Sequence, residues 1–216
     1  MKAAQHAYNT LRASIIDGSY PPGTRVTEQK VAASAGVSRT PVREALQRLE
    51  AEGLLSFVPH QGAVVTSWSH RDAEDIFELR AMLEGYAARL ASERASDADI
   101  DELRRLALQQ SLEAEERSVG YLERIADLNS QFHQRLQLTA ASTRLQTTLT
   151  TLSSAPLVLQ TFRDYSSEDL TRSAHHHREL VEAIESRDGE WAAAVMRAHI
   201  MAARRAFNAK HQQSSM

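Results

Sequence analysis

Two periodicities divide the chain. In "LLSFVPHQGAVVTSW", residues 54–68, apolar and β-branched runs flank Pro59-His60-Gln61-Gly62, the pattern of a β-hairpin. Elsewhere the apolar positions recur at steps of three and four, the signature of helices buried on one face. Ahead of the hairpin, "HAYNTLRASIIDG" places Tyr8, Leu11 and Ile15 at helical spacing and stops at Gly18, and "SYPPGTRV" predicts a turn. "TEQKVAASAG" predicts a short helix capped by Thr27 and closed by Gly36. Ser38 is then expected to cap a third helix, with Pro41 in its first turn, where a missing N–H costs little. Three helices and a hairpin predict a winged helix-turn-helix over residues 1–67.

From residue 70 onward no strand signal is present. Helical stripes run through about 70–94, 98–118, 120–140, 143–163, 167–186 and 188–208, separated by breaks such as "SDAD", "SVG", "DYSSED" and "SRDG". Pro156 predicts a kink in the fourth. About six antiparallel helices joined by short loops make an all-α bundle over residues 68–216, so the fold class is mainly α with the boundary near Trp68.

The third helix, within "GVSRTPVREALQRLEAEG", separates two faces. At roughly 100° per residue, Val42, Ala45, Leu46 and Leu49 form one stripe, and Arg39, Thr40, Arg43 and Gln47 form another beside it. One face is held by the fold and the other is offered to a partner. The charge distribution points to a polyanion. Residues 1–67 hold seven Lys/Arg against five Asp/Glu, a balance of +2, whereas residues 68–216 hold 18 against 23, a balance of −5. With no cysteine, disulfides and thiolate metal sites are excluded. No window approaches the ~20 apolar residues of a membrane span, so no membrane partner and a cytoplasmic setting are expected.

The stretch "PPGTRVTEQKVAASAGVSRTPVREALQRLEAEGLLSFVPHQGAVV" resembles the DNA-binding domain of the GntR family of bacterial transcription regulators. The segments "IFELRAMLEGYAARLA", "NSQFHQRL" and "HRELVEAIESRDGEWAAAVMRAHI" resemble the FCD effector domain of its FadR and VanR branch. The resemblance implies that Arg39 and Arg43 read bases or clasp the backbone of double-stranded DNA, that Thr40 binds phosphate, and that the wing tip His60-Gln61-Gly62 touches the minor groove or its phosphates. Gln47 extends the reading surface. Arginine suits this work because its fork donates two bonds to guanine O6/N7 or to phosphate. The plainer reading pairs Arg39 and Arg43 with Glu44 and Glu50.

A second set lies in the helical half. Asn129 and His133 fall inside the apolar stripe Leu122, Ile125, Phe132, Leu136, Ala140; His177 falls among Leu170, Ala174, Leu180, Val181, Ile184; and His199 among Trp191, Val195, Ala198, Ala202, Ala206. A lone buried His is usually a satisfied core residue. Three would each need a buried partner, whereas one divalent metal satisfies all of them. The FCD pattern implies Asn129, His133, His177 and His199 as ligands, with zinc or nickel as the metal. Asn129 stands where many relatives carry a carboxylate, so weaker metal binding is expected. In the His175-His176-His177 run, His175 projects away from the stripe and His176 falls at its edge.

Arg80 sits at the edge of the stripe Ile76, Leu79, Leu83, Ala87, Leu90, where an unpaired guanidinium is costly. Two partners compete for it: Glu84, one turn on, and the carboxylate of a small organic acid, which the resemblance implies as effector. The hydroxyls of Thr147 to Ser154 are a weaker candidate contact. Together these readings describe a ligand-responsive regulator, expected to be a repressor and a homodimer on a palindromic operator, released or retuned by a small acid. A metal-dependent hydrolase is the alternative, against which no Glu or Asp stands in the stripes beside the histidines. A constitutive DNA-binding protein is another, and it leaves the histidines unexplained.

Overall fold

The computed structural model describes residues 2–16, 18–67, 69–152 and 161–213. It divides between Ser69 and His70 into two compact units. The first contains α1 (Lys2–Ile16), β1 (Arg25–Val26), α2 (Glu28–Ala35), α3 (Arg39–Ala51), β2 (Leu55–Val58) and β3 (Gly62–Val65). Thr27 accepts a hydrogen bond from the Lys30 N–H at 3.3 Å, and Gly36 closes α2 at φ 63°, a left-handed conformation that suits a residue without Cβ. Ser38 stands extended at the N-cap of α3, but its side chain makes no capping bond. The expected cap is therefore positional only.

The sheet is antiparallel in the order β1-β3-β2, with Val26 opposite Ala63 and Val58 opposite Gly62. β1 lies where a turn was expected. Two residues carry no readable period, and the strand exists because β3 supplies its partners: Gly23 N–H donates to Val65 O and Val65 N–H to Thr24 O, both at 2.9 Å. Val42, Ala45, Leu46 and Leu49 of α3 are buried with Leu11 of α1 and Leu54 in one core. α1 is fastened to α3 by Arg48, whose guanidinium lies 3.8 Å from the Tyr8 ring centroid and donates to Gln5 and Glu52. The Tyr8 hydroxyl donates to the same Glu52 carboxylate at 2.8 Å.

The second unit contains α4 (His70–Arg94), α5 (Asp97–Glu116), α6 (Tyr121–Thr139), α7 (Thr143–Leu152), α8 (Ser167–Glu185) and α9 (Gly189–Gln213), and residues 161–164 are also helical. Pro156 and its expected kink lie outside the described residues. Capping boxes start α5 (Ser96 with Asp99) and α8 (Ser166 with Asp169). α4 packs along α9, α5 packs on α6 and α8, and α8 on α9.

One expectation about side chains fails here. Leu79, expected in the core stripe of α4, is 41% exposed, whereas Ala87 and Leu90 of that stripe are buried together with Ala73, Phe77, Ala81, Ala88 and Ala91, and Arg80 and Glu84 lie among them. The hydroxyls of Thr147, Thr148 and Thr150 bond back to carbonyls of their own helix, at Thr143, Arg144 and Gln146, a local competition open to threonine in any helix. Ser153 and Ser154 lie outside the described residues.

Candidate metal centre and DNA-binding surface

Three helices deliver three imidazoles to one point. His133 (α6), His177 (α8) and His199 (α9) are all buried, and one ligand nitrogen from each lies within 4.8 Å of the others. His133 Nε2 and His199 Nε2 are 3.3 Å apart. Two nitrogens held about 2.1 Å from one tetrahedral ion stand about 3.4 Å apart, so the spacing suits a shared metal. Phe132 stacks on His177 with ring centroids 4.1 Å apart and fixes that ring's plane.

The outer nitrogens identify the inner ones as acceptors. His133 Nδ1 is bonded to the Glu84 carboxylate of α4, and His177 Nδ1 to the Gln110 side-chain oxygen of α5. A ring that donates through Nδ1 presents a lone pair at Nε2, the arrangement found behind metal-binding histidines. His177 Nε2 and Asn129 Oδ1 are both buried with no hydrogen-bond partner. Between the facing Nε2 atoms of His133 and His199 a proton or a cation has to sit. Burial, reinforced by the neighbouring imidazoles, holds His177 and His199 well below the usual imidazole range, so both are neutral near pH 7 and ready to ligate. The orphaned oxygen and nitrogen, with this donor set, fit a divalent ion. His175 is exposed and His176 is half-buried, so the run of three sends only His177 into the core.

Glu84 and Gln110 were not foreseen as parts of this centre. Glu84 had been named only as a partner for Arg80, and no carboxylate had been expected beside the histidines. Arg80 Nε donates to Glu84 at 2.7 Å, both buried, and Glu84 bonds His133 with its other oxygen. Burial alone would raise the Glu84 carboxyl; Arg80 and His133 outweigh it and hold it well below the usual carboxylate range. Fully ionised and doubly bonded, it orients His133 rather than serving as a base. Arg80 also lines a cavity of about 20 Å³ with Phe77, Asn129, Phe162, Tyr165 and His199.

On the first unit, Arg39, Thr40, Arg43 and Gln47 are all exposed on α3, opposite its buried stripe. His60, at φ 65°, and Gly62, at φ 81°, are exposed at the hairpin tip, where Gln61 N–H closes the turn onto Val58 O at 3.0 Å. Arg43 is paired neither with Glu44 nor with Glu50. It donates to Glu28 of α2 at 2.7 Å and stays 65% exposed. That bond, with Arg39 adding to it, lowers the Glu28 carboxyl, which places both guanidinium groups near one carboxylate at the start of α2. Solvent screens an exposed pair of this kind, so it holds the arginine only weakly against a phosphate or guanine.

No helix among the described residues is long and apolar enough to cross a membrane. Residues 3–65 match the gntR family of bacterial regulatory proteins, and residues 75–202 match the FCD domain. The Nta operon transcriptional regulator of Aminobacter aminovorans is 35% identical over 181 residues, covering 84% of this chain and 83% of its own. The probable D-xylose utilization operon transcriptional repressor of Paenarthrobacter nicotinovorans is 31% identical over 192 residues, covering 87% and 81%. Among solved structures, Escherichia coli McbR/YncC has the same fold, with a TM-score of 0.75 over 99% of both chains at 24% identity. These are DNA-binding transcription regulators rather than enzymes. With both domain matches in order along the chain and relatives above 30% identity spanning more than four fifths of it, the protein belongs to the gntR family of bacterial regulatory proteins, in the group whose second domain is an FCD domain.

Proposed function

We propose that the protein is a repressor that binds a palindromic operator as a homodimer and is controlled by a small organic acid bound beside a divalent metal. The observation that carries this reading is the meeting of His133, His177 and His199 beside a cavity that His199 lines together with Arg80 and Asn129, whose side-chain oxygen has no partner. Asn129, His133, His177 and His199 hold the metal, zinc or nickel, and His133 is oriented by Glu84 and His177 by Gln110. When bound, the metal would supply a Lewis-acidic point of attraction for a carboxylate. Arg80 supplies the second positive contact and shares it with Glu84.

A cavity of about 20 Å³ has room for about one water, so an acid of several heavy atoms requires its walls, Phe162 and Tyr165 among them, to move. That requirement is the regulatory device. The acid favours an opened arrangement of the bundle, and the shift in population alters operator affinity. On the DNA side, Arg39, Arg43 and Gln47 address base edges, and Thr40, His60 and Gly62 the backbone. The word repressor follows the D-xylose operon relative.

The test is a thermal-shift screen of the full chain against a panel of carboxylic acids, with and without zinc or nickel, followed by operator titration with the hits. The expected result is an acid that raises Tm only when metal is present and changes operator affinity. Acids that leave both quantities unchanged, with metal bound, would overturn the effector assignment.

A further inference from the structure

His176 stands between the exposed His175 and the buried His177, and neither the ligand set nor the surface accounts for it. It is half-buried on α8, and its ring stands edge-on to that of His199 on α9, with centroids 5.8 Å apart and planes at 78°. One turn further along α8, Glu179 accepts a hydrogen bond from Trp191 Nε1 of α9 at 2.9 Å, which holds the two helices in the register that makes this contact.

The three ligand rings are not supported alike. His133 and His177 each bond outward through Nδ1, to Glu84 and to Gln110. His199 turns Nε2 toward His133, and its own Nδ1 is buried with no partner among the described residues. His176 Nδ1 is buried and unpartnered among them as well. Two neighbouring rings thus each carry one buried nitrogen without a hydrogen bond, a costly state for a polar atom.

The two nitrogens are chemically complementary. A neutral imidazole has one N–H and one lone pair, so a metal on His199 Nε2 leaves that ring's proton on Nδ1, as a donor. His176 with its proton on Nε2 presents Nδ1 as an acceptor. The terminal torsion of a histidine is soft, so a rotation of the His176 ring can close the bond once a metal fixes His199. On its outer side His176 lines an open groove along α8 with Arg172, His175 and Glu179, whereas Glu84 and Gln110 are each only 1% exposed.

We propose that His176 is a positioning residue for the metal: its Nδ1 accepts the Nδ1–H of metal-bound His199, as Glu84 does for His133 and Gln110 for His177. The assignment rests on the reading of the three histidines as ligands, and it makes His199 the ligand whose support reaches solvent.

The full chain, stripped and reloaded, tests it by chelator competition with zinc and by the visible absorption of the cobalt form, with circular dichroism to confirm folding. His176→Leu fills the space without an acceptor; it is expected to stay folded, to bind zinc about 10- to 100-fold more weakly and to shift the cobalt bands. His176→Gln restores an acceptor oxygen and is expected to recover most of the affinity and the parent's bands. Nitrogen-15 spectra of the zinc form should place the His176 proton on Nε2. Parent-like affinity in His176→Leu, a His176→Gln variant no better than His176→Leu, or a His176 proton on Nδ1 would overturn the assignment and leave the metal reading standing. A parent that holds no metal would overturn both.

Discussion

Arg80, Glu84 and His133 form a continuous buried chain of charge, and its behaviour rests on the middle residue. Removing one partner of a buried pair strands the other, at a cost of about 3–5 kcal/mol. Glu84→Gln is therefore expected to lower stability measurably and, because His133 loses its orienting acceptor, to weaken metal binding about 10- to 100-fold, read by chelator competition. Unchanged metal affinity would show that Glu84 serves only Arg80. A second expectation follows from the neutral rings of His177 and His199. The unfolded chain protonates its imidazoles near pH 6.5, whereas the folded state resists until much lower pH. The unfolded state thus binds more protons below pH 6.5, so stability present at pH 7.5 is lost as the pH falls, by up to about 1.4 kcal/mol per pH unit for each ring. Urea titrations of metal-free protein between pH 7.5 and 5.5 should show this loss, and His177→Ala should reduce the slope. An equal slope in both would mean that the rings are not held neutral by burial.

At the scale of elements, much of α3, α6 and α8 was legible because a helix with one buried face writes its orientation into residue spacing. The two faces of α3, the Gly36 terminus and the choice of His177 over His175 all follow from angles along a single helix. What spacing could not reveal are the contacts between elements. β1 is defined by β3, Arg43 by Glu28 on another helix, and the Gln110 and Glu84 bonds to the histidines by α5 and α4. Leu79 was misplaced because the core face of α4 is built from alanines and a buried ion pair, which carry a weak apolar signal. For α3 the prediction is direct. Arg43→Ala should cost about 1–3 kcal/mol of specific operator binding, while the parent's affinity falls steeply with salt. Electrophoretic shifts on operator and random duplexes check this, and equal binding by parent and variant would contradict the reading surface. Arg48→Ala, by contrast, acts through the α1–α3 junction; it should lower thermal stability and leave base preference unchanged.

The whole molecule combines a basic reading unit with an acidic helical unit, and five helices of the second build the metal centre together. α4 and α5 orient the rings, and α6, α8 and α9 carry them, so an ion bound there ties separate helices into one body. Such binding favours the folded chain over the unfolded one, which links metal occupancy to stability and, through the cavity beside it, to the effector. The measurement that tests this most directly is metal content after stripping, refilling with zinc and desalting, made on the parent and on His175→Ala, His177→Ala and His199→Ala. About one equivalent per chain is expected in the parent and in His175→Ala, with a raised Tm, and neither metal nor a Tm rise in the other two. Equal metal content in His175→Ala and His177→Ala, or no retained metal in the parent, would contradict it.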